Sequence, residues 1–238
     1  MIYNYREMLE LGHHYEGSHT ADRGLQEYAD LLGLTIRPCE RILDVGASAG
    51  TFAKEVAETF GDETIVDSLD FFTLEEVTSG RISFVGKDNR KTEFYPHHRI
   101  VGDIAQGVRI SDETYDSIVS LYAIPTWLND YGSTARAFRE MARLCKQNGE
   151  IRLFPMWIDN LGEYSGFGSP KNLSLTRAVF ERHGYLFRLE EVVGSNGVPI
   201  EGARRIVINK TSSEIPSEEE LLKQPFLERL VCALRSQE

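Results

Sequence analysis

Between Arg41 and Gly50 the chain reads RILDVGASAG, an apolar run that breaks into five small residues. Arg41 to Val45 has the pattern of a buried strand, and Thr51 opens a helical pattern. Gly46-Ala47-Ser48-Ala49-Gly50 is therefore a strand-to-helix turn. Such a turn lets a ligand lie against bare backbone, and the helix start offers it unpaired N–H groups. Gly46 and Gly50 accept positive φ with no Cβ in the way. A dinucleotide-binding turn needs glycine at its first, third and sixth positions, which here hold Gly46, Ser48 and Thr51. A triphosphate-cradling loop needs a Gly-Lys-Ser/Thr ending, which is absent from this turn.

The elements around the turn alternate. A helical pattern over Thr51–Phe60 leads to a strand over Thr64–Asp70, and residues 71–100 are irregular, with one helical turn at Leu74–Val77 and strands at Ile82–Val85 and Arg99–Gly102. Strand Ser117–Leu121, helix Thr134–Lys146 closed by Asn148-Gly149, strand Glu150–Phe154 and helix Leu175–His183 follow. Two final strands, Tyr185–Val193 and Arg204–Asn209, are joined without a helix. This order predicts an α/β fold: a doubly wound, mostly parallel Rossmann-like sheet with an antiparallel edge strand and helices on both faces. The expected organisation is an N-terminal helical lid or cap over 1–36, a cofactor-binding domain over 37–210 and a C-terminal helical tail over 211–238. In the N-terminal part, 16–20 (EGSHT) reads as a polar break before a helix over Ala21–Leu32. In the tail, Ser217-Glu218-Glu219-Glu220 is a capping box, and Leu227, Leu230, Val231 and Leu234 share one face. That face either packs on the domain or forms a homodimer contact.

Composition excludes some functions. With 238 residues and 41% hydrophobic content the chain can fill one large core. A net charge of −11 and a pI of about 5.1 disfavour a nucleic-acid surface. Three widely spaced cysteines, Cys39, Cys145 and Cys232, make neither a disulfide framework nor a zinc site and read as buried reduced thiols. The pairs His13-His14 and His97-His98 are poorly spaced for a metal, so none is expected. With no signal-like or membrane-length apolar run, the expectation is a cytoplasmic protein.

Five ordered segments resemble the class I S-adenosylmethionine-dependent methyltransferases. Leu43 to Gly50 is similar to their first motif, an acidic strand end followed by Gly-x-Gly-x-Gly, with Ser48 replacing the middle glycine. Asp70, twenty residues after Gly50, matches the acid that binds both ribose hydroxyls in that family. Ile100-Val101-Gly102-Asp103-Ile104 resembles the segment bordering the adenine. Tyr115 to Ser120 resembles the fourth strand, and Arg139 to Glu150 the helix and turn after it. The resemblance implies S-adenosyl-L-methionine as cofactor, bound by Asp44, Gly46, Ala47, Ser48, Gly50, Asp70, Phe71, Asp103, Ile104 and Ser120.

The residues leave some roles open. Asp67 rivals Asp70, although Asp70 fits the strand end better. Asp44 either anchors the turn or reaches the cofactor amine through water. Asp103 either borders the ligand or caps its own turn. Phe71 either covers an adenine face or packs in the core. Methyl transfer from a sulfonium is a direct displacement, so alignment is the main task and a base is needed only when the acceptor must lose a proton. The acceptor pocket is expected among Ser120-Leu121-Tyr122, Pro125-Thr126-Trp127 and Pro155-Met156-Trp157, with His13, His14, Tyr15 and Tyr122 as candidate catalytic groups. Ser120-Leu121-Tyr122-Ala123-Ile124-Pro125 stands where adenine- and glutamine-directed members carry Asn/Asp-Pro-Pro-Tyr. Together with the acidic charge this points to a small-molecule acceptor. The alternative is a non-catalytic protein that binds S-adenosylmethionine or S-adenosylhomocysteine.

Overall fold

A computed structural model describes residues 17–20, 23–85, 93–126, 128, 130–157, 167, 169–194 and 197–222. The elements are β1 (Gly17–Thr20), α1 (Leu25–Leu32), β2 (Arg41–Val45), α2 (Thr51–Phe60), β3 (Ile65–Asp70), α3 (Leu74–Thr78) and β4 (Ile82–Val85), followed by β5 (Arg99–Val101), β6 (Tyr115–Leu121), α4 (Tyr131–Leu144), β7 (Cys145–Trp157), α5 (Pro170–Arg182), β8 (Tyr185–Val193) and β9 (Pro199–Lys210).

Seven strands form one sheet in the order β5-β3-β2-β6-β7-β9-β8. All neighbouring pairs from β5 to β7 are parallel, and β9 runs antiparallel to both β7 and β8. The two strands joined without a helix thus close one edge, as their sequence implied, with β9 one place inside it. From β2 the chain moves outward through β3 to β5, then crosses to β6 on the other side of β2. That reversal leaves a crevice at the carboxyl ends of β2 and β6, where open α/β sheets bind ligands.

Helices cover both faces. Phe138, Met141, Phe180 and Phe187 pack with Leu43, Ile118, Ile151 and Ile206 under α4 and α5. On the other face Tyr28, Leu32, Phe52 and Val56 of α1 and α2 pack with Ile42, Val66, Val119 and Phe154. The ends are capped as their residues suggest: the Asp130 side chain accepts from Ser133 N, and the Ser169 side chain from Asn172 N ahead of Pro170. The capping box of the tail forms, with Ser217 Oγ accepting from Glu220 N and Glu220 Oε2 accepting from Ser217 N.

Three expectations change. The polar break at Gly17–Thr20 is a strand, paired parallel with β4 in a separate two-stranded sheet. Its partner lies in the irregular 71–100 region, so a pairing remote in sequence turns a polar tetrapeptide into β1. Asn148-Gly149 does not end a helix. Helix α4 runs straight into β7, with Cys145 N donating to Met141 O, and Asn148 sits at φ 65 within the strand. There the β6–β7 register shifts, and a Cβ on Gly149 would stand 2.7 Å from Asp116 O. The Asn-Gly pair therefore serves a bulge. Cys145 is buried as expected, whereas Cys39 is exposed, because it lies on the turn before β2 at φ 65. Cys232, the candidate dimer face and residues 1–16 lie outside the described residues.

Candidate functional site

The turn after β2 winds left-handed at three of its five residues: Gly46 (φ 78), Ser48 (φ 54) and Gly50 (φ 81). A left-handed conformation costs an L-residue roughly 1–2 kcal/mol. Ser48 adopts it in the place where the middle glycine was expected. Gly46 cannot be replaced so simply, since a Cβ there would fall 2.2 Å from the Ala123 Cβ. Gly50 caps α2 from outside, under Tyr95, whose N–H donates to Ala49 O at 2.8 Å.

Asp70 ends β3 beside this turn and is buried. Its Oδ2 accepts from Ser48 N at 2.8 Å and its Oδ1 from Phe71 N at 2.9 Å. Its rival Asp67 is committed elsewhere, accepting from Arg41 Nε and Nη2 and from the Tyr115 hydroxyl. Phe71 is exposed beyond Asp70, while Phe72 is buried against Phe84.

Asp44 is fully buried beneath the turn and accepts from the Tyr28 hydroxyl with both oxygens at 2.9 Å. Burial pushes its carboxyl up to about 7; Arg23 and the Tyr28 hydrogen bond oppose that shift. Burial and the neighbouring carboxyl likewise raise the Tyr28 phenol. Ser120 joins the two central strands above this point: its hydroxyl donates to Val45 O at 2.8 Å and accepts from Ile124 N at 2.9 Å. Asp103 caps its own turn, accepting from Ala105 N and Gln106 Nε2, and Ile104 is buried in the α4 face of the core.

Tyr122, directly after β6, is 37% exposed and holds φ 62. Its N–H donates to Phe154 O, its ring meets Phe154 edge-on, and burial raises its phenol above the ordinary range. Pro155 is tied to the same crevice by Thr126 Oγ1, which donates to its carbonyl at 2.8 Å. Met156 is buried in the core. Trp127 and the candidate catalytic groups His13, His14 and Tyr15 lie outside the described residues.

Three residues here escaped sequence reading. Arg23 donates to Leu121 O and, at 3.2 Å, to Gly46 O, which sets a cation at the crevice between β2 and β6. Tyr28 lies in the predicted helix over Ala21–Leu32, and its hydroxyl is the partner of Asp44. Arg99 was read only as the start of a strand, yet its guanidinium lies 3.6 Å from Asp70 Oδ2 with its side chain 7% exposed. None of the three carries a local motif. Their neighbours lie far along the chain, and only the fold brings them together.

Residues 43–153 match the family model described as a methyltransferase domain. No curated protein matches the sequence. Similar solved structures include a phosphoethanolamine N-methyltransferase from Haemonchus contortus, in complex with phosphoethanolamine and S-adenosylhomocysteine. It is 15% identical, with a TM-score of 0.49 over 87% of this chain and 48% of that one. An amino pentose methyltransferase from Micromonospora echinaspora is 15% identical, with a TM-score of 0.46 over 73% and 84% of the two chains. A SAM-dependent methyltransferase from Aquifex aeolicus is 14% identical, with a TM-score of 0.44 over 87% and 97%.

Residues 43–153 of this chain match a methyltransferase domain, within a sheet of the doubly wound order that the sequence predicted. S-adenosylmethionine is the cofactor that the resemblance in the sequence implies. The left-handed turn, the carboxylate at the end of β3 and the exposed aromatic ring beside it supply bare backbone, a hydroxyl acceptor and an apolar face, which a nucleoside cofactor of that kind needs. Among the described residues no group of acidic, histidine or cysteine side chains would hold a metal ion, and no helix is long and apolar enough to cross a membrane.

Proposed function

We propose that this chain is an enzyme that transfers the methyl group of S-adenosylmethionine to a small-molecule acceptor. The observation that carries the reading is the Asp70 carboxylate, 2.8 Å from Ser48 N in a left-handed turn at the point where the sheet reverses its winding. When bound, S-adenosylmethionine supplies a methyl carbon already activated by a sulfonium. Gly46, Ala47, Ser48 and Gly50 offer backbone to it. Asp70 accepts the ribose hydroxyls and Phe71 covers the adenine, while Asp103 serves its own turn and Ile104 the core. Asp44 and Ser120 hold the turn from below, and Arg23 places its cation beside Gly46. Tyr122 borders the acceptor at the end of β6. Holding the reactants in line can contribute about 7–11 kcal/mol, so a proton-transfer residue is needed only for a protonated acceptor.

The acidic balance of the chain and the sequence after β6 favour a small acceptor over a nucleic acid. Calorimetry with S-adenosylhomocysteine and NAD tests the cofactor, and methyl-labelled S-adenosylmethionine incubated with small-molecule and nucleic-acid extracts tests the acceptor. Binding of S-adenosylhomocysteine alone, with label entering the small-molecule pool, is expected. Binding of NAD instead would overturn the reading. Tight binding with no label in either pool would make the chain a non-catalytic carrier.

A further inference from the structure

Arg99 is paired with Ser68, and Ser68 with Asp44, so Arg99, Ser68, Asp70 and Asp44 all project from the same face of the sheet. The Arg99 side chain is 7% exposed and lies under the ribose end of the candidate site. Its guanidinium carbon stands 4.6 Å from the centre of the Phe72 ring and 5.0 Å from that of Phe94, and these contacts hold its plane. A Cβ on Gly50 would stand 3.8 Å from Arg99 Nη1, so the guanidinium reaches the glycine turn. Among the described residues none of its three nitrogens makes a hydrogen bond. Asp70 at 3.6 Å balances its charge but is beyond hydrogen-bonding reach.

Buried donors are almost always matched, and the exceptions cluster where a ligand completes them. A vicinal diol has two hydroxyl hydrogens to donate and oxygen lone pairs to fill. A carboxylate meets the first need and a guanidinium the second. We propose that Asp70 and Arg99 form a two-part clamp for the vicinal diol of the nucleoside, the carboxylate accepting hydroxyl hydrogens while the guanidinium donates to hydroxyl oxygen. This rests on the assignment of Asp70 to the ribose. Charge balance for Asp70 and Asp44 alone would be served as well by lysine, which lacks the planar fork of donors.

The test is calorimetric titration of S-adenosylhomocysteine and its 2′-deoxy counterpart into the wild-type chain, Arg99→Met, Arg99→Lys and Asp70→Asn, with melting temperatures measured alongside. Wild type is expected to prefer the ribose ligand by roughly 10- to 150-fold, the range for hydrogen bonds to charged groups. Arg99→Met should lose most of that preference while its affinity for the deoxy ligand hardly changes. Arg99→Lys should regain melting temperature but only part of the preference, and it takes the place of Arg99→Met should that variant not fold. Equal weakening of both ligands, or an intact preference in either variant, would overturn the clamp. Should Asp70→Asn abolish the preference while the Arg99 variants keep it, the clamp fails and the ribose assignment stands. Should wild type not discriminate at all, the ribose assignment itself falls and the clamp with it.

Discussion

Lys210 and Arg99 are buried cations at opposite ends of one sheet, and the fold treats them differently. Lys210 ends β9 at the amino ends of the parallel strands, where its ammonium donates to Ala142 O and Cys145 O and pairs with Glu113 at 3.1 Å. Those carbonyls close helix α4, so the cation also meets the negative end of the helix dipole. Nearby, Asp116 accepts from Arg41 N and from Lys146 Nζ. At the carboxyl ends, Arg99 and Ser68 Oγ are buried without hydrogen bonds. The Asp44 carboxyl is pushed up to about 7 there, and Ser48 and Tyr122 hold left-handed backbone. One end spends its polar groups on stability. The other keeps donors and strained backbone at the crevice, the pattern expected where a ligand is to be held.

The comparison is tested most severely at Asp70. Asp70→Ala should weaken S-adenosylhomocysteine binding by about 2–4 kcal/mol, measured by calorimetry, through loss of charge-assisted hydrogen bonds. An unchanged dissociation constant would refute its ribose role. Gly46→Ala should destabilise the fold by about 2–3 kcal/mol in urea titration, since the new Cβ both crowds Ala123 and strains the left-handed turn. Lys210→Met should cost about 1–2 kcal/mol in the same titration, through two unpaired carbonyls, and leave S-adenosylhomocysteine affinity unchanged. A loss of affinity in that variant would erase the distinction between the two ends.

The smallest expected effect is a pH dependence from Asp44. Its carboxyl titrates near 7 when folded, above its value in the unfolded chain, so the folded protein holds the extra proton between about pH 4 and pH 7. The stability this contributes is lost as pH rises through that window. A bound cation near Asp44 favours its carboxylate, so S-adenosylmethionine binding should release a proton below about pH 7. Affinity should then rise with pH by less than about tenfold per unit and level off above 7. Calorimetry in buffers of different ionisation heat measures the proton count, and an Asp44→Asn variant that still releases the proton would remove Asp44 from this role.

The glycine turn, the order of strands and helices and the place of Asp70 at the end of a strand were legible in the sequence. Each is carried by local steric rules or by apolar periodicity over a few residues. The strand at Gly17–Thr20 and the bulge at Asn148-Gly149 were not, because both depend on partners far along the chain. The same holds for site residues. Ser120 was named from its place in a motif, but only the fold shows its hydroxyl joining Val45 to Ile124.

By itself the sequence determined which residues can turn, which must be buried and where a carboxylate ends a strand, since these follow from side-chain volume, backbone freedom and polarity. The tertiary structure alone decided which buried polar groups meet. It set Tyr28 on Asp44, Lys210 at the end of α4 and Arg99 beside Asp70 without a hydrogen bond. Hydrogen bonds and charge pairing act over a few ångströms in space, and the distance along the chain between two such partners carries no trace of them.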